Sequence, residues 1–500
     1  MRTISQLVPT PPRAATEGRP YGAGANRWGG PTRPPLFVAL LLGALLSTAL
    51  PTTAAEKKPL SAEENRALLL QLMAEKPRER KQAAKELVAR ADATLVPALV
   101  ESMFFTPRAA RGELFEVLTA LTGERGSYGY LDWVEYVGKR TDIVPAPGYA
   151  AWKSELFARI DPRFRRVLDP AVPSKIRWPE IVSGGVPLDG IPSLENPPAV
   201  PAAEADFLAD GEAVYGVAAG GAFRAYPERV LSWHEMLNDT VGGEPVTLSY
   251  CTLCGSAVAY SRRTPDGRVR SLGTSGLLYR SNKLMYDRET FTLWSNLTGE
   301  AVLGPLAATD WRLEILPATL TTWREWRTRH PETTAMVVDW DAGRKIGFDY
   351  RPGAADRQRA GVEFPVWQKS ERLKRNARVY ALIVGGVPKA YPLEELTRRT
   401  VVNDQLGGEP LVLVTNADSQ SVRAYRRGER TFRAGSSPEE LVDETGKRWR
   451  LGEDALAPED AAGTPLARLP GHVAFWFGWY GFYPETEVFV SREEDGAAKK

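Results

Sequence analysis

Cys251 and Cys254 are the only cysteines in 500 residues, and they stand three positions apart in the stretch GGEPVTLSYCTLCGSAVAY. A C-x-x-C pair suits three kinds of chemistry: a thiol/disulfide couple, half of a soft-metal site, or a short structural bridge. A bridge closing four residues constrains the unfolded chain by only about 1.9 kcal/mol, so stability alone is a weak reason for it. Covalent haem attachment is not indicated, because Gly255 follows the pair where a histidine would be needed. Three histidines accompany the thiols. His234 lies shortly before the pair, where an imidazolium would lower a thiol pKa. His472 opens the aromatic run HVAFWFGWY, and His330 precedes a proline. Two thiolates with His472 and His234 would complete a tetrahedral zinc site, and a soft ligand such as Met285 would favour copper. The pattern leaves catalysis by Cys251, Cys254 and His234 open against metal binding by Cys251, Cys254, His472 and His234. Neither a nucleophile elbow nor an H-E-x-x-H helix is present to suggest a hydrolase.

The elements around the pair are readable. Val246, Leu248 and Tyr250 alternate as one buried face of a strand, and Gly255 with Ser256 is expected to break it, so the thiols occupy a tight turn. LSWHEMLND reads as a helix leading into that strand, with Glu235 placed to orient an imidazole or to face solvent. YRSNKLMYDRETFTLW reads as hairpin text turning at Asp287 to Thr290. Ser275, Tyr279, Asn282, Tyr286, Asp287 and Arg288 are polar candidates for a cleft wall in that block, each with an ordinary reading as a turn or packing residue.

The same text occurs twice. NDTVGGEPVTLSY from Asn238 returns as NDQLGGEPLVLVT from Asn403, and LPATLTTWREWRTRHPET from Leu316 returns as LPGHVAFWFGWYGFYPET from Leu469. Two duplicated β-rich lobes are expected, at 205–345 and 370–495, joined by a connector at 346–369. In the second copy Asn416 and Ser419 stand where the first has Cys251 and Cys254, and Arg399 stands for His234. The lobe therefore folds without a dithiol, which argues for a special role of the pair in the first copy.

Ahead of the lobes, residues 56–168 read as amphipathic helices, either HEAT-like pairs or a small bundle, and 169–204 as a Pro/Gly-rich connector lying ordered on the next domain. Trp133, Tyr136, Trp152 and Phe157 belong to the helical core on this reading. The fold class is α+β. Residues 1–55 carry Arg-containing text and the uncharged run Leu36 to Leu50, a signal peptide or, if uncleaved, an N-terminal membrane anchor. The remainder is thereby expected outside the cytoplasm, periplasmic or secreted, in a disulfide-permissive space. A formal charge of +2 without a basic block gives no sign of a nucleic-acid partner. The partner expected is a redox protein or a small-molecule substrate of unknown identity. A noncatalytic interaction module is the alternative in which the thiols do no chemistry.

From about Asp189, through WHEMLNDTVGGEPVTLSYCTLCGSAVAY and GTSGLLYRSNKLMYDRETFTLWSNLTGEAVLGPLA to LPATLTTWREWRTRHP, the chain resembles the bacterial and archaeal family catalogued as the domain of unknown function numbered 3179. The resemblance covers roughly residues 185–490 and leaves the helical segment outside. It implies an exported protein. Some relatives look like selenoproteins with selenocysteine in the dithiol motif, which implies reactive chalcogen chemistry at Cys251 and Cys254. No substrate comes with it.

Overall fold

The computed structural model describes residues 60–125, 129–359, 364–460 and 463–490, so the leader at 1–55 and its reading as a signal or anchor lie outside the described residues. No helix among them is long and apolar enough to cross a membrane.

Ser61 starts the first helix with a capping box, its Oγ accepting from the Glu64 N–H while Glu64 accepts from the Ser61 N–H. Seven helices follow: α1 Ala62–Leu72, α2 Pro77–Arg90, α3 Val96–Phe104, α4 Gly112–Thr122, α5 Tyr130–Lys139, α6 Tyr149–Phe157 and α7 Phe164–Val167. Their apolar faces, with Trp133, Trp152 and Phe157, form one core that continues into the β region through Ile181, Leu277 and Leu284. Tyr136 packs on the edge of that core and is only partly buried.

The segment after α7 supplies three short strands to the sheets that follow: β1 Ile181–Ser183, β2 Leu194–Glu195 and β3 Ala199–Pro201. A buried lysine fastens β1 to the helices. Lys153 on α6 is wholly buried, pairs with Glu101 on α3, and donates to the carbonyls of Trp178 and Ile181. Such a charge persists in the interior only because its donors are taken up.

The first β unit runs β4 Ala213–Ala219, β5 Ala222–Pro227, α8 Glu228–His234, β6 Met236–Val241, β7 Glu244–Cys251, β8 Ser256–Ser261, β9 Leu272–Tyr279, β10 Asn282–Asp287, β11 Leu293–Ser295, β12 Ala301–Leu303, β13 Ala318–Thr322, α9 Trp323–Arg329 and β14 Thr334–Met336. Ser256 does not break the run as expected; it opens β8 and pairs with Cys251. Helices α10 Trp340–Lys345 and α11 Ala354–Arg359 lie in the segment between the units. The second unit runs β15 Arg378–Val384, β16 Val387–Pro392, α12 Leu393–Arg398, β17 Val401–Leu406, β18 Glu409–Thr415, β19 Val422–Arg426, β20 Phe432–Ala434, β21 Glu440–Asp443, β22 Arg448–Leu451, β23 Ala455–Pro458, β24 Leu466–Leu469, β25 Gly471–Phe475, α13 Trp476–Tyr480 and β26 Glu487–Val488.

The two units share a wiring plan. One sheet orders β13-β4-β5-β14-β3 and another β25-β15-β16-β26; β14 runs parallel to β5 and β26 parallel to β16, and the other pairings, including β14 with β3, are antiparallel. Tyr226 donates to Asp239 and Tyr391 to Asp404, both at 2.8 Å. The Trp326 indole donates to Thr333 and that of Trp479 to Thr486, both at 2.9 Å. Hairpin tips meet at glycine in both: a β-carbon on Gly242 would stand 2.4 Å from the Ala219 carbonyl, and one on Gly407 2.1 Å from that of Val384. These glycines also hold positive φ, so no other residue fits both demands.

Candidate functional site

Strand β7 ends at Cys251 and β8 begins at Ser256, so the thiols flank Thr252 and Leu253 in a hairpin turn closed by Gly255 at φ +56°. Both cysteines are reduced and buried, at 1 % and 0 % exposure. The cover comes from elsewhere in the chain. Phe477 of α13 and Val366 of the inter-unit segment pack on the sulfurs. The Phe475 N–H donates to the Cys254 carbonyl at 2.7 Å, and a β-carbon on Gly478 would stand 3.2 Å from the Cys254 Sγ. Thus the second unit's α13 closes over the first unit's dithiol. The Phe364–Trp367 strap is held in turn by helix α5: Val366 N–H donates to Glu135 at 2.9 Å, and the Trp367 indole fills the space a side chain on Gly138 would need.

The β9–β10 hairpin turns on Arg280 and Ser281, at φ +47° and +68°, where a two-residue turn of this kind favours Asn-Gly. Arg280 is held by Glu180 at 2.9 Å and the Ser281 hydroxyl by the Pro365 carbonyl. The turn aims the Ser281 carbonyl at Cys254, whose thiol donates to it at 2.9 Å. Next on β10, Asn282 and Lys283 face the pair. Lys283 is buried, its ammonium donating to the Glu235 carbonyl, while the Glu235 carboxylate accepts from Thr252 at 2.7 Å. Glu235 sits at φ +58° and its carbonyl also receives the Tyr250 N–H at 2.8 Å.

This arrangement makes the thiols unequal. Burial raises both, but Cys251 ends below its ordinary value because the Cys254 S–H, shared between the Ser281 carbonyl and the Cys251 sulfur, and the backbone N–H groups of Lys283 and Cys254 hydrogen-bond that sulfur, against the repulsion of Glu235. Cys254 is pushed well above its ordinary value, first by burial and then by its neighbour's sulfur, with the Asn282 amide a partial offset. Burial brings Lys283 down to about 8, while Glu235 and Cys251 hold its charge. Lys283 was absent from the sequence candidates; the signal available was a lysine directly ahead of the apolar Leu284 and Met285.

The other candidates fall elsewhere. His234 ends α8 with both ring nitrogens taken, Nδ1 by the Pro192 carbonyl at 2.7 Å and Nε2 by the Tyr350 hydroxyl at 2.5 Å, and burial lowers its pKa below the ordinary value. It positions the loop into β6 and has no nitrogen left for the sulfurs. His472 lies on β25 opposite Ala381, in a cavity of about 20 Å³ that Tyr215 and Tyr380 also line. His330 stacks on Phe223 at 3.9 Å and reaches Glu453 at 3.4 Å. Met285 packs with Met236, Val258 and Trp294 in an apolar cluster. Among the described residues no group of three or more His, Cys, Asp or Glu gathers into a metal site. The expected Cys251–Cys254–His472–His234 set is therefore not assembled: two thiols lack the further donors a tetrahedral zinc requires. Ser275 donates to the Leu284 carbonyl, Tyr286 and Arg288 hold Asp189, and Asp287 caps its own turn, accepting from Thr290 and from the Trp294 indole. Tyr279 packs edge-on against Phe482.

The turn between β18 and β19 in the second unit has no thiols. Asn416 closes the turn through its own side chain, accepting the N–H groups of Asp418 and Ser419. Above it stands Glu325 of α9, bonded by Ser419, Ser421 and Arg423. Burial opposes its charge, yet Arg423 and these hydroxyls hold its carboxyl below the ordinary range.

A family model described as a protein of unknown function, DUF3179, matches residues 188–486, more than half of the chain, covering the first unit and all of the second except β26. No curated protein and no solved structure matches the chain.

Proposed function

The chain belongs to the DUF3179 family, and we propose that it is an exported thiol-dependent oxidoreductase in which Cys251 and Cys254 cycle between dithiol and disulfide. One observation carries the reading: the inequality of the two sulfurs. A structural pair has no use for a buried lysine beside one sulfur and a carbonyl acceptor on the other. Here Cys251 is the nucleophile, its thiolate favoured by backbone donors and the Lys283 charge. Cys254 is the resolving thiol, kept protonated by the Ser281 carbonyl until the S–S bond forms. Oxidation of thiolate and thiol to the disulfide releases two electrons and the Cys254 proton; reduction takes them back.

The duplication of the β units is part of the proposal, supported by the repeated text and shared strand order. One copy keeps the chemistry and the other supplies α13 as its cover. The helix pairs α1–α2 and α3–α4 are read as HEAT-like units, supported by their repeated amphipathic text. The extracytoplasmic site is supported by the leader text, and a topology reporter fused after Lys58 is expected to be active only outside the cytoplasmic membrane.

The test of the inequality is residue-resolved alkylation with a small reagent across pH. Cys251 is expected to label at lower pH than Cys254. Equal titration of the two, or the reverse order, contradicts the assignment.

A further inference from the structure

One thin layer seals the sulfurs. Leu253 of the dithiol turn and Phe364 of the strap pack on the thiol cluster, and Val366 of the strap belongs to it. Leu253 and Phe364, with Pro365, also line a neighbouring cleft of about 380 Å³, which neither cysteine reaches. Lifting Phe364 to Val366 would therefore join that cleft to the thiols.

Residues 364–367 form neither helix nor strand, so a few contacts hold them down. On the β side the Pro365 carbonyl accepts from the Ser281 hydroxyl, and the Phe364 ring packs on Phe477 at 5.3 Å. On the helical side Glu135 of α5 accepts from the Val366 N–H at 2.9 Å. Its other oxygen pairs with Lys369 at 2.8 Å, but the Lys369 side chain is 67 % exposed, so that pair adds little. Trp367 is buried in the helical core against Gly138, where a β-carbon would stand 1.4 Å from its ring. Its indole N–H has no partner there. An unpaired buried donor weakens the closed arrangement, and water relieves it once the strap lifts. The anchors on α5 stand outside the family match, and the thiols inside it.

We propose that the Phe364–Trp367 strap is the gate of the dithiol, latched by Glu135 and Gly138 of α5, so that the helical domain keeps the thiols covered and exposes them by releasing the strap. The inference rests on the redox reading above for its purpose, since only a reactive pair needs access. In the open state the Val366 N–H and the Trp367 indole turn to water, and the cleft extends to Cys251 and Cys254. Gly138 fits this role because glycine is a poor choice inside a helix, and here its missing side chain makes the seat for the Trp367 ring. The helical domain thereby regulates a family core that it does not belong to.

The test is site-resolved alkylation of the reduced full chain with iodoacetamide at constant pH, over urea concentrations below the unfolding transition. In the wild type the thiols are expected to react slowly and at a rate nearly independent of urea, the signature of a local opening that exposes little surface. Glu135→Ala, which leaves the Val366 N–H without its acceptor, is expected to raise the rate at least about tenfold, the scale of a hydrogen bond to a charged group. Gly138→Ala should raise it as well, although alanine is the better helix former, because the Trp367 ring loses its seat. Lys369→Ala should stay within about threefold of the wild type. Rates unchanged in both α5 variants overturn the gate, as does a wild-type rate that climbs with urea as steeply as global unfolding. Alkylation needs only reduced thiols, so either result leaves the redox reading standing. Thiols that react through the gate but never form a disulfide overturn the redox reading and leave the gate.

Discussion

The Cys254 thiol lies 2.9 Å from the carbonyl oxygen of Ser281, a residue whose own φ of +68° turns that carbonyl inward. A thiolate at this position would face the oxygen's lone pairs, so the proton stays on Cys254 and the reactive charge falls to Cys251. Backbone strain of this kind costs on the order of 1–3 kcal/mol per residue and is kept only where the surroundings enforce it. The strap carbonyl of Pro365, the Glu180 carboxylate and the dithiol itself do so here.

Lys283 supplies the charge that Cys251 faces. Lys283→Met is expected to raise the Cys251 pKa by roughly one unit or more, the usual effect of removing a nearby opposite charge. Lys283→Arg should retain most of the depression. The measurement is the pH dependence of Cys251 alkylation, and an unchanged profile in the methionine variant removes Lys283 from the chemistry.

Gly478 is where α13 touches the thiols. A β-carbon there would stand 2.9 Å from the Cys254 Cβ, so Gly478→Ala should cost about 1–3 kcal/mol of stability as overpacking. Denaturant unfolding measures it. Cys254→Ser leaves the Cβ in place and should not relieve the cost; a neutral Gly478→Ala would mean that α13 does not seat on the dithiol.

His472 should make the fold sensitive to acid. Burial lowers its pKa from 6.5 to about 4, so between those values the unfolded chain binds a proton that the folded chain refuses. Its contribution to stability is fully present above pH 6.5 and lost progressively as pH falls toward 4, by about 3 kcal/mol. Comparing the pH dependence of unfolding in the wild type and His472→Gln isolates it. Parallel curves would place the imidazole in contact with water.

Much of the site was legible. The C-x-x-C turn and the strand before it followed from residue type and spacing. The histidines misled because an asymmetric residue near the dithiol in sequence, His234, turns its ring to Pro192 and Tyr350, and because His472 lies on a strand whose neighbours depend on how the units pack. Lys283 escaped notice because a lysine in a strand ordinarily faces water. Its burial is a tertiary effect of the turn at Glu235 and of the surrounding sheet and strap, none of which local periodicity encodes. The strap at Phe364–Trp367 read as connector for the same reason: its anchors, Glu135 and Gly138, belong to a helix more than 200 positions earlier.

The central claim is that Cys251 and Cys254 form a reversible couple. Its most direct test is mass-resolved thiol trapping of the purified full chain, equilibrated over a series of defined redox potentials before and after treatment with a chelator. The account predicts a single two-electron transition in which both thiols disappear together into one intramolecular disulfide and return on reduction, identically with and without chelator. Thiols that stay reduced and untrappable at every potential, or that become trappable only once a stoichiometric metal is removed, would contradict it.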